Sequence, residues 1–216
     1  MNVFVTGGTG YIGRALIEVL VARGHTVAAL VRPESTRRLP SGVAPIVGDA
    51  LDASTFAAFI ARSTTLVHLV GTPHPDPSKA VEFQRVDLGS IRASVYAAGR
   101  AGLVHLIYVS VAQPAPVMRA YVATRAAGEA AIVEAGLTAT VLRPWYVIGP
   151  GHRWPILLKP FYWILEQLPA LRGGARRLGL VTLDQMVAAL ALAVEHAPPA
   201  GTVRIVDVPA IRASNL

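Results

Sequence analysis

The sequence predicts an α/β chain on a doubly wound parallel sheet, with a C-terminal portion of different texture from residue 151 onward. Three observations predict it. Strand-like and helix-like segments alternate through most of the 216 residues. The strand-like runs are short and apolar throughout, as where helices cover both sheet faces. The first run passes directly into glycines at a fixed spacing, Gly7, Gly10 and Gly13, and then into a helical pattern.

Taken in order, strands are expected at Val3–Thr6, Thr26–Val31, Ala44–Val47, Thr65–Val70, Leu103–Val109, Thr138–Leu142 and Val203–Val208. Helices are expected at Tyr11–Arg23, Ala53–Ala61, Ala80–Gly102, Met118–Ala135 and from Leu183 to His196. Crossovers of this kind are right-handed, and ligands collect at the carboxyl ends of the strands. One domain, 1–216, accommodates all of these segments, with 151–216 as a substrate or lid portion within it.

A glycine turn between a buried strand and a helix N-terminus is a phosphate-binding device. Gly7 allows the tight turn, Gly10 lets the backbone approach a pyrophosphate, and Gly13 allows close helix–strand packing. Thr9, Tyr11 and Ile12 fill the loop between them. The second strand ends Leu30-Val31-Arg32, with no acidic residue to bond a ribose 2′-hydroxyl. Arg32, together with Arg14 at the helix start and Arg37 and Arg38 nearby, suits a 2′-phosphate, so NADP is expected over NAD. Asp49 and Ala50 end the third strand, where Asp49 can accept from an adenine amino group; Asp52 is the better cap for the following helix. Val70 and Gly71 end the fourth strand, where glycine permits close backbone approach.

Composition narrows the partners. The net charge is +7, carried by eighteen arginines and only two lysines, Lys79 and Lys159. The arginines are scattered, apart from Arg37-Arg38 and the group Arg172, Arg176 and Arg177, and no aromatic-interleaved basic groove speaks for nucleic acid. No cysteine is present, which removes disulfides and thiolate sites and makes a cytoplasmic home the default. The chain enters a strand at once, without the pattern of a secretory leader, and no apolar run reaches spanning length. The six histidines, at 25, 68, 74, 105, 152 and 196, show no metal-ligand spacing, so no metal is expected; His74 and His152 fall in loops that can face a substrate. From His152 to Leu171 the texture changes to prolines and aromatics, with Trp154, Phe161 and Trp163 prominent. A core-packing helix is the plain reading there, and a substrate lid or an apolar docking patch the functional one.

Thr6-Gly-Gly-Thr-Gly-Tyr-Ile-Gly13, Gly48-Asp49 and Leu142-Arg-Pro144 resemble the extended and atypical short-chain dehydrogenase/reductases, and within them the NmrA-like and complex I accessory-subunit-like groups. The resemblance covers nearly the whole chain. It implies a Rossmann-type NAD(P)-binding domain and a small C-terminal substrate region. It also implies a Tyr-x-x-x-Lys pair with a serine after the fifth strand. Tyr121 matches the tyrosine, Arg125 stands where the lysine belongs, and Ser110 aligns with the first serine of the cluster. Ala112 replaces the usual catalytic serine, while Glu129, Arg143 and Asp184 fit the pattern. Arg125 keeps the charge and can reach a ribose, yet it cannot give up a proton. Val109, Pro144, Trp145 and Val147 are expected beside the nicotinamide.

Two functions follow from these readings. One is an NADP-dependent oxidoreductase or epimerase-like enzyme for a small, apolar carbonyl or hydroxyl compound, with Tyr121, Arg125 and Ser110 as its catalytic group. The other is an NADP-binding sensor, assembly or scaffold protein with little turnover, associated with a protein partner or a membrane surface. Arg125 and Ala112 favour the second; the retained tyrosine with a cation one helical turn away favours the first.

Overall fold

The computed structural model describes residues 1–150 and 178–215. The segment read above as a lid or docking patch, with its Trp154, Phe161 and Trp163 and the Arg172, Arg176 and Arg177 group, lies outside the described residues, as does His152.

The strands are β1 (Asn2–Thr6), β2 (Thr26–Val31), β3 (Ala44–Val47), β4 (Thr65–His68), β5 (His105–Val109), β6 (Ala139–Leu142), β7 (Tyr146–Ile148), β8 (Leu180–Thr182) and β9 (Val203–Val206). The helices are α1 (Tyr11–Ala22), α2 (Ala57–Ile60), α3 (Ala80–Glu82), α4 (Gly89–Ala101), α5 (Arg119–Glu134), α6 (Leu183–Glu195) and α7 (Val208–Arg212). Seven strands form one sheet in the order β3-β2-β1-β4-β5-β6-β9, with every pairing parallel. Helices cover both faces, as the sequence predicts.

The two-residue period of β1 shows how the layers are held. Val3 and Val5 face one apolar cluster with Leu16, Ile17 and Leu20 of α1 and Leu190 and Val194 of α6. Phe4 faces the other way, into a cluster with Phe56, Ile60, Ile91 and Tyr108. All three β1 residues are essentially inaccessible, so this strand is the spine of the molecule.

The ends of elements differ from expectation in instructive ways. The helix expected over Ala80–Gly102 is three pieces, because a π-helical stretch, Phe83–Leu88, separates α3 from α4. The expected Ala53–Ala61 helix is a 3₁₀ turn followed by the short α2, and Asp52 does cap it, accepting from the Ser54 amide at 2.9 Å. The last strand stops at Val206, because the Asp207 side chain caps α7 by accepting from the Ala210 amide. β7 and β8 pair in a small parallel sheet that no sequence pattern announced. Their three residues each are too short for a periodic signal. Among the described residues, no helix is long and apolar enough to cross a membrane.

Candidate functional site

The strand order reverses between β1 and β4: the chain runs outward through β2 and β3, then returns to the far side of β1. The loops leaving β1 and β4 therefore diverge, and a crevice opens outside their carboxyl ends. A cavity of about 670 Å³ lies there.

The glycine loop forms one end of it. Gly7 sits at φ +78°, and a side chain there would meet the Leu69 carbonyl carbon at 2.7 Å and the Val70 amide nitrogen at 2.9 Å. A side chain on Gly13 would strike the Gly7 carbonyl oxygen and lie 2.8 Å from the Gly8 Cα. Gly10 differs: the one described atom within 4 Å of an added Cβ is the Gly7 oxygen, at 3.2 Å. Its open side is the cavity. Gly10 is also the N-cap of α1, whose first turn holds no acid and receives no side-chain cap. The protein's own packing thus explains Gly7 and Gly13. Gly10 is the glycine left over for a ligand, and the uncapped amides beside it suit an anion. The residues present fit a dinucleotide.

Of the sequence-predicted residues, Gly7, Gly10, Tyr11, Ile12, Gly13 and Gly71 line this cavity at the loop end. Val109, Ser110, Tyr121, Arg125, Pro144, Trp145 and Val147 line the other end. Thr9, Arg14, Arg32, Asp49, Ala50 and Val70 are not part of its wall. Arg14 and Arg32 are exposed, and Arg32 follows directly on β2, one strand over from the glycine loop. Its Nε lies 3.3 Å from Glu34, a pair with both side chains mostly in water, which contributes little. Asp49 is exposed and accepts from the Leu51 amide at 2.9 Å.

Tyr121 stands at the start of α5, half-buried, with the Phe83 ring packed edge-on at 5.0 Å. Arg125, one turn along, is buried and paired with Asp87 at 2.7 Å. It also donates to the Val109 carbonyl at 3.0 Å. Burial opposes its charge, but the Tyr121, Tyr108 and Asp87 groups facing it outweigh that and hold the guanidinium protonated. The Ser110 hydroxyl donates to Glu129 Oε1 at 2.5 Å, and Glu129 is gripped in turn by Arg143 and by Gln113 Nε2 at 2.8 Å. The one proton of Ser110 is therefore committed to Glu129. Ala112 belongs to the core and offers the cavity nothing polar.

Behind the cavity floor, His68 ends β4 fully buried. Its Nδ1 lies 2.9 Å from Thr6 Oγ1 and 3.0 Å from Ser94 Oγ. Burial, and then the Arg125 charge, push its pKa down to about 3, so it is a neutral structural hydrogen-bonding group. On the other rim, burial and the nearby Asp184 carboxylate push the Tyr11 phenol up. His74 lies exposed at the cavity mouth at φ +48°. Among the described residues, no three His, Cys, Asp or Glu side chains come together as a metal site.

Sequence reasoning missed Asp87. A signal existed: Phe83, Asp87, Leu88 and Ile91 are all buried on one helical stripe, so an acid stood in a row of core positions.

A parallel sheet with a glycine loop at its switch point defines the class, a Rossmann-type dinucleotide-binding protein. Residues 7–152 match the NAD(P)H-binding family model, and the chain belongs to that family within the extended and atypical short-chain dehydrogenase/reductases. It is 31% identical over 171 residues to a 4-hydroxy-2-methyl-3-oxo-4-farnesyl-3,4-dihydroquinoline-1-oxide ketoreductase of Stigmatella aurantiaca, across 69% of this chain and 51% of the relative. It is 27% identical over 209 residues to a ceramide reductase of Caulobacter vibrioides, across 95% of this chain and 64% of the relative. The chain thus spans between half and two thirds of these relatives' own length. The solved structure of MoeE5 with UDP-glucuronic acid and NAD superposes with a TM-score of 0.71 at 22% identity, across 95% of this chain and 75% of that one, which shows the shared fold. The fold, the family and relatives named as reductases make this an NAD(P)-binding oxidoreductase type.

Proposed function

We propose that the chain is an NADP(H)-dependent reductase of an apolar carbonyl compound, working in the cytoplasm. One observation carries this reading. A single cavity joins the glycine loop at one end to the Tyr121 phenol at the other, so a dinucleotide and a second, smaller molecule fit side by side. Gly7, Gly10 and Gly13 with the α1 amides would hold the diphosphate, Arg32 and Arg14 the 2′-phosphate, and Val109, Pro144 and Val147 the nicotinamide end. Asp49 and Ala50 would border the adenine, with Val70 and Gly71 along the middle of the cofactor. When bound, the reduced nicotinamide supplies the hydride.

The protein's own task is to place the carbonyl and protonate its oxygen. Tyr121 is the donor in reach of the cavity. Ser110, with its proton given to Glu129, can only accept, so it orients a hydroxyl product better than it polarises a carbonyl. Arg125 is the one formally charged side chain among the described lining residues, and Asp87 balances it. Trp145 and Tyr146, stacked edge-to-face at 5.7 Å, and Met118 and Val111 give the rest of the wall an apolar surface. That surface suits a hydrocarbon-rich substrate, and the farnesyl and ceramide compounds in the relatives' names point the same way.

The test is NADPH oxidation with a panel of long-chain and cyclic ketones, in the wild type and in Tyr121→Phe. Loss of the proton donor should lower kcat by at least about 100-fold. An active wild type with an unaffected variant removes Tyr121 from the mechanism. A second reading, an NADP-binding sensor or scaffold with little turnover, is favoured by the buried Arg125–Asp87 pair. NADPH binding without turnover on any carbonyl would select it.

A further inference from the structure

Asp87 stands directly behind the proposed proton donor. It is fully buried, in the π-helical stretch between α3 and α4. Its Oδ2 accepts from the Thr72 amide at 3.0 Å and from the Thr72 hydroxyl at 2.6 Å. Its Oδ1 forms the 2.7 Å ion pair with Arg125 Nη2. Arg125 Nη1 is spent on the Val109 carbonyl, and the Nε is buried without a hydrogen-bond partner. The guanidinium carbon lies 5.2 Å from the centroid of the Tyr121 ring and 5.8 Å from that of Tyr108. The loop after β4 closes over this pair: a side chain on Gly71 would collide with Arg125 Nη2 and lie 3.3 Å from Asp87 Oδ1. Four parts of the cavity wall meet at one guanidinium, namely α5, the end of β5, the β4 loop and the π-helical stretch.

We propose that Asp87 is a positioning residue of the reductase site: it fastens Arg125 beneath the Tyr121 ring, so that this arginine orients the phenol and does not bind the nucleotide ribose. The proposal rests on the reductase reading above. A guanidinium cannot be deprotonated, and without a partner it is costly to bury. Its carboxylate therefore decides where it lies. With Asp87 in place, the fork is turned toward protein groups and away from a ligand. Without it, the cation swings toward the cavity, the only wet direction, and the ring stacked on it loses its support. A misplacement of about 1 Å at a reacting group costs on the order of 100-fold in rate.

Two variants separate the alternatives. Asp87→Asn keeps the shape and one oxygen for Thr72 and removes the charge. The double variant Asp87→Leu with Arg125→Met replaces the pair by apolar groups of similar size, which buried pairs tolerate. NADPH dissociation constants are measured by calorimetry, and kcat and KM on the ketone that the wild type reduces best. Asp87→Asn should lower kcat by about tenfold or more, with KM and the NADPH constant within roughly threefold of wild type. The double variant should lose no more kcat than the single one, since the two residues act as a unit, and should bind NADPH within about threefold of wild type. If Asp87→Asn does not fold, Thr72→Val, which removes only the hydroxyl on Oδ2, should lower kcat by roughly threefold at unchanged KM. An Asp87→Asn enzyme with wild-type kcat, or an unaffected Thr72→Val in its stead, means that Arg125 needs no positioning and overturns the proposal. A double variant that binds NADPH about tenfold more weakly overturns it too, by placing the guanidinium on the nucleotide. A wild type with no turnover on any ketone sinks the reductase reading instead, and the NADPH constants then still decide whether Arg125 holds the ribose.

Discussion

Gly7 and Gly10 lie three residues apart in one loop, and the structure assigns them opposite consequences. Replacing Gly7 by alanine forces a side chain into a left-handed backbone at φ +78°, which costs about 1–2 kcal/mol. The new methyl also meets the Leu69 and Val70 backbone at 2.7 Å and 2.9 Å, and backbone yields less readily than side chains. Overpacking of that kind costs about 1–3 kcal/mol. Together these amount to about 2–5 kcal/mol, or a fall in Tm of roughly 5–15 °C for a chain of this size. Gly10 sits at φ −76° and ψ 176°, a conformation open to alanine. Its methyl would lie 3.2 Å from one carbonyl oxygen and otherwise point into the cavity. Losing an N-cap glycine costs about 0.5–1 kcal/mol, so Tm should fall by roughly 1–4 °C. Yet NADPH should bind at least about tenfold more weakly, because the methyl occupies space assigned to the diphosphate. Scanning fluorimetry gives the first quantity and isothermal titration calorimetry the second. A Gly10→Ala protein that binds NADPH as the wild type does would refute the cradle. A Gly7→Ala protein as stable as the wild type would refute the steric account of the loop.

Two other outcomes are expected. Arg32→Ala should weaken NADPH binding by about tenfold or more, the worth of a charge-assisted hydrogen bond, and leave NADH binding unchanged; equal effects on both nucleotides would remove Arg32 from the 2′ position. Stability should fall on acidification well before the carboxylates titrate. His68 and His105 are held neutral by burial and by the neighbouring Arg125 and Arg204, with pKa values pushed down to about 3 and about 4. Between these values and the usual histidine range near 6.5 the unfolded chain binds protons that the folded one does not, so stability rises with pH across that window. Each histidine should cost about 2 kcal/mol between pH 7 and pH 5. Urea unfolding across that range measures it, and a flat profile would mean that these imidazoles are not buried neutral in solution.

The parts of the site legible in the sequence are those fixed by backbone geometry. Gly7, Gly10 and Gly13 are read correctly because a tight turn, a close approach and a helix contact each forbid a side chain, and no other residue meets that demand. Val3, Phe4 and Val5 are read as a buried strand because a sheet covered on both faces leaves no polar position in the pattern. What stayed hidden is where one charge answers another across long stretches of chain. Arg125 announces a cation one turn from Tyr121, but its partner Asp87 lies 38 positions earlier, and neither periodicity nor spacing links them. The sequence therefore leaves Arg125 free to reach a ribose, whereas the fold gives its donors to Asp87 and Val109. Ser110 follows the same logic: its position beside the cavity is legible from the strand end, while the direction of its one proton, toward Glu129, depends on α5 crossing behind β5. The chemistry of this site turns on such pairings. A sequence motif locates the residues, and the packing of distant elements decides which of their hydrogens and charges remain available to a substrate.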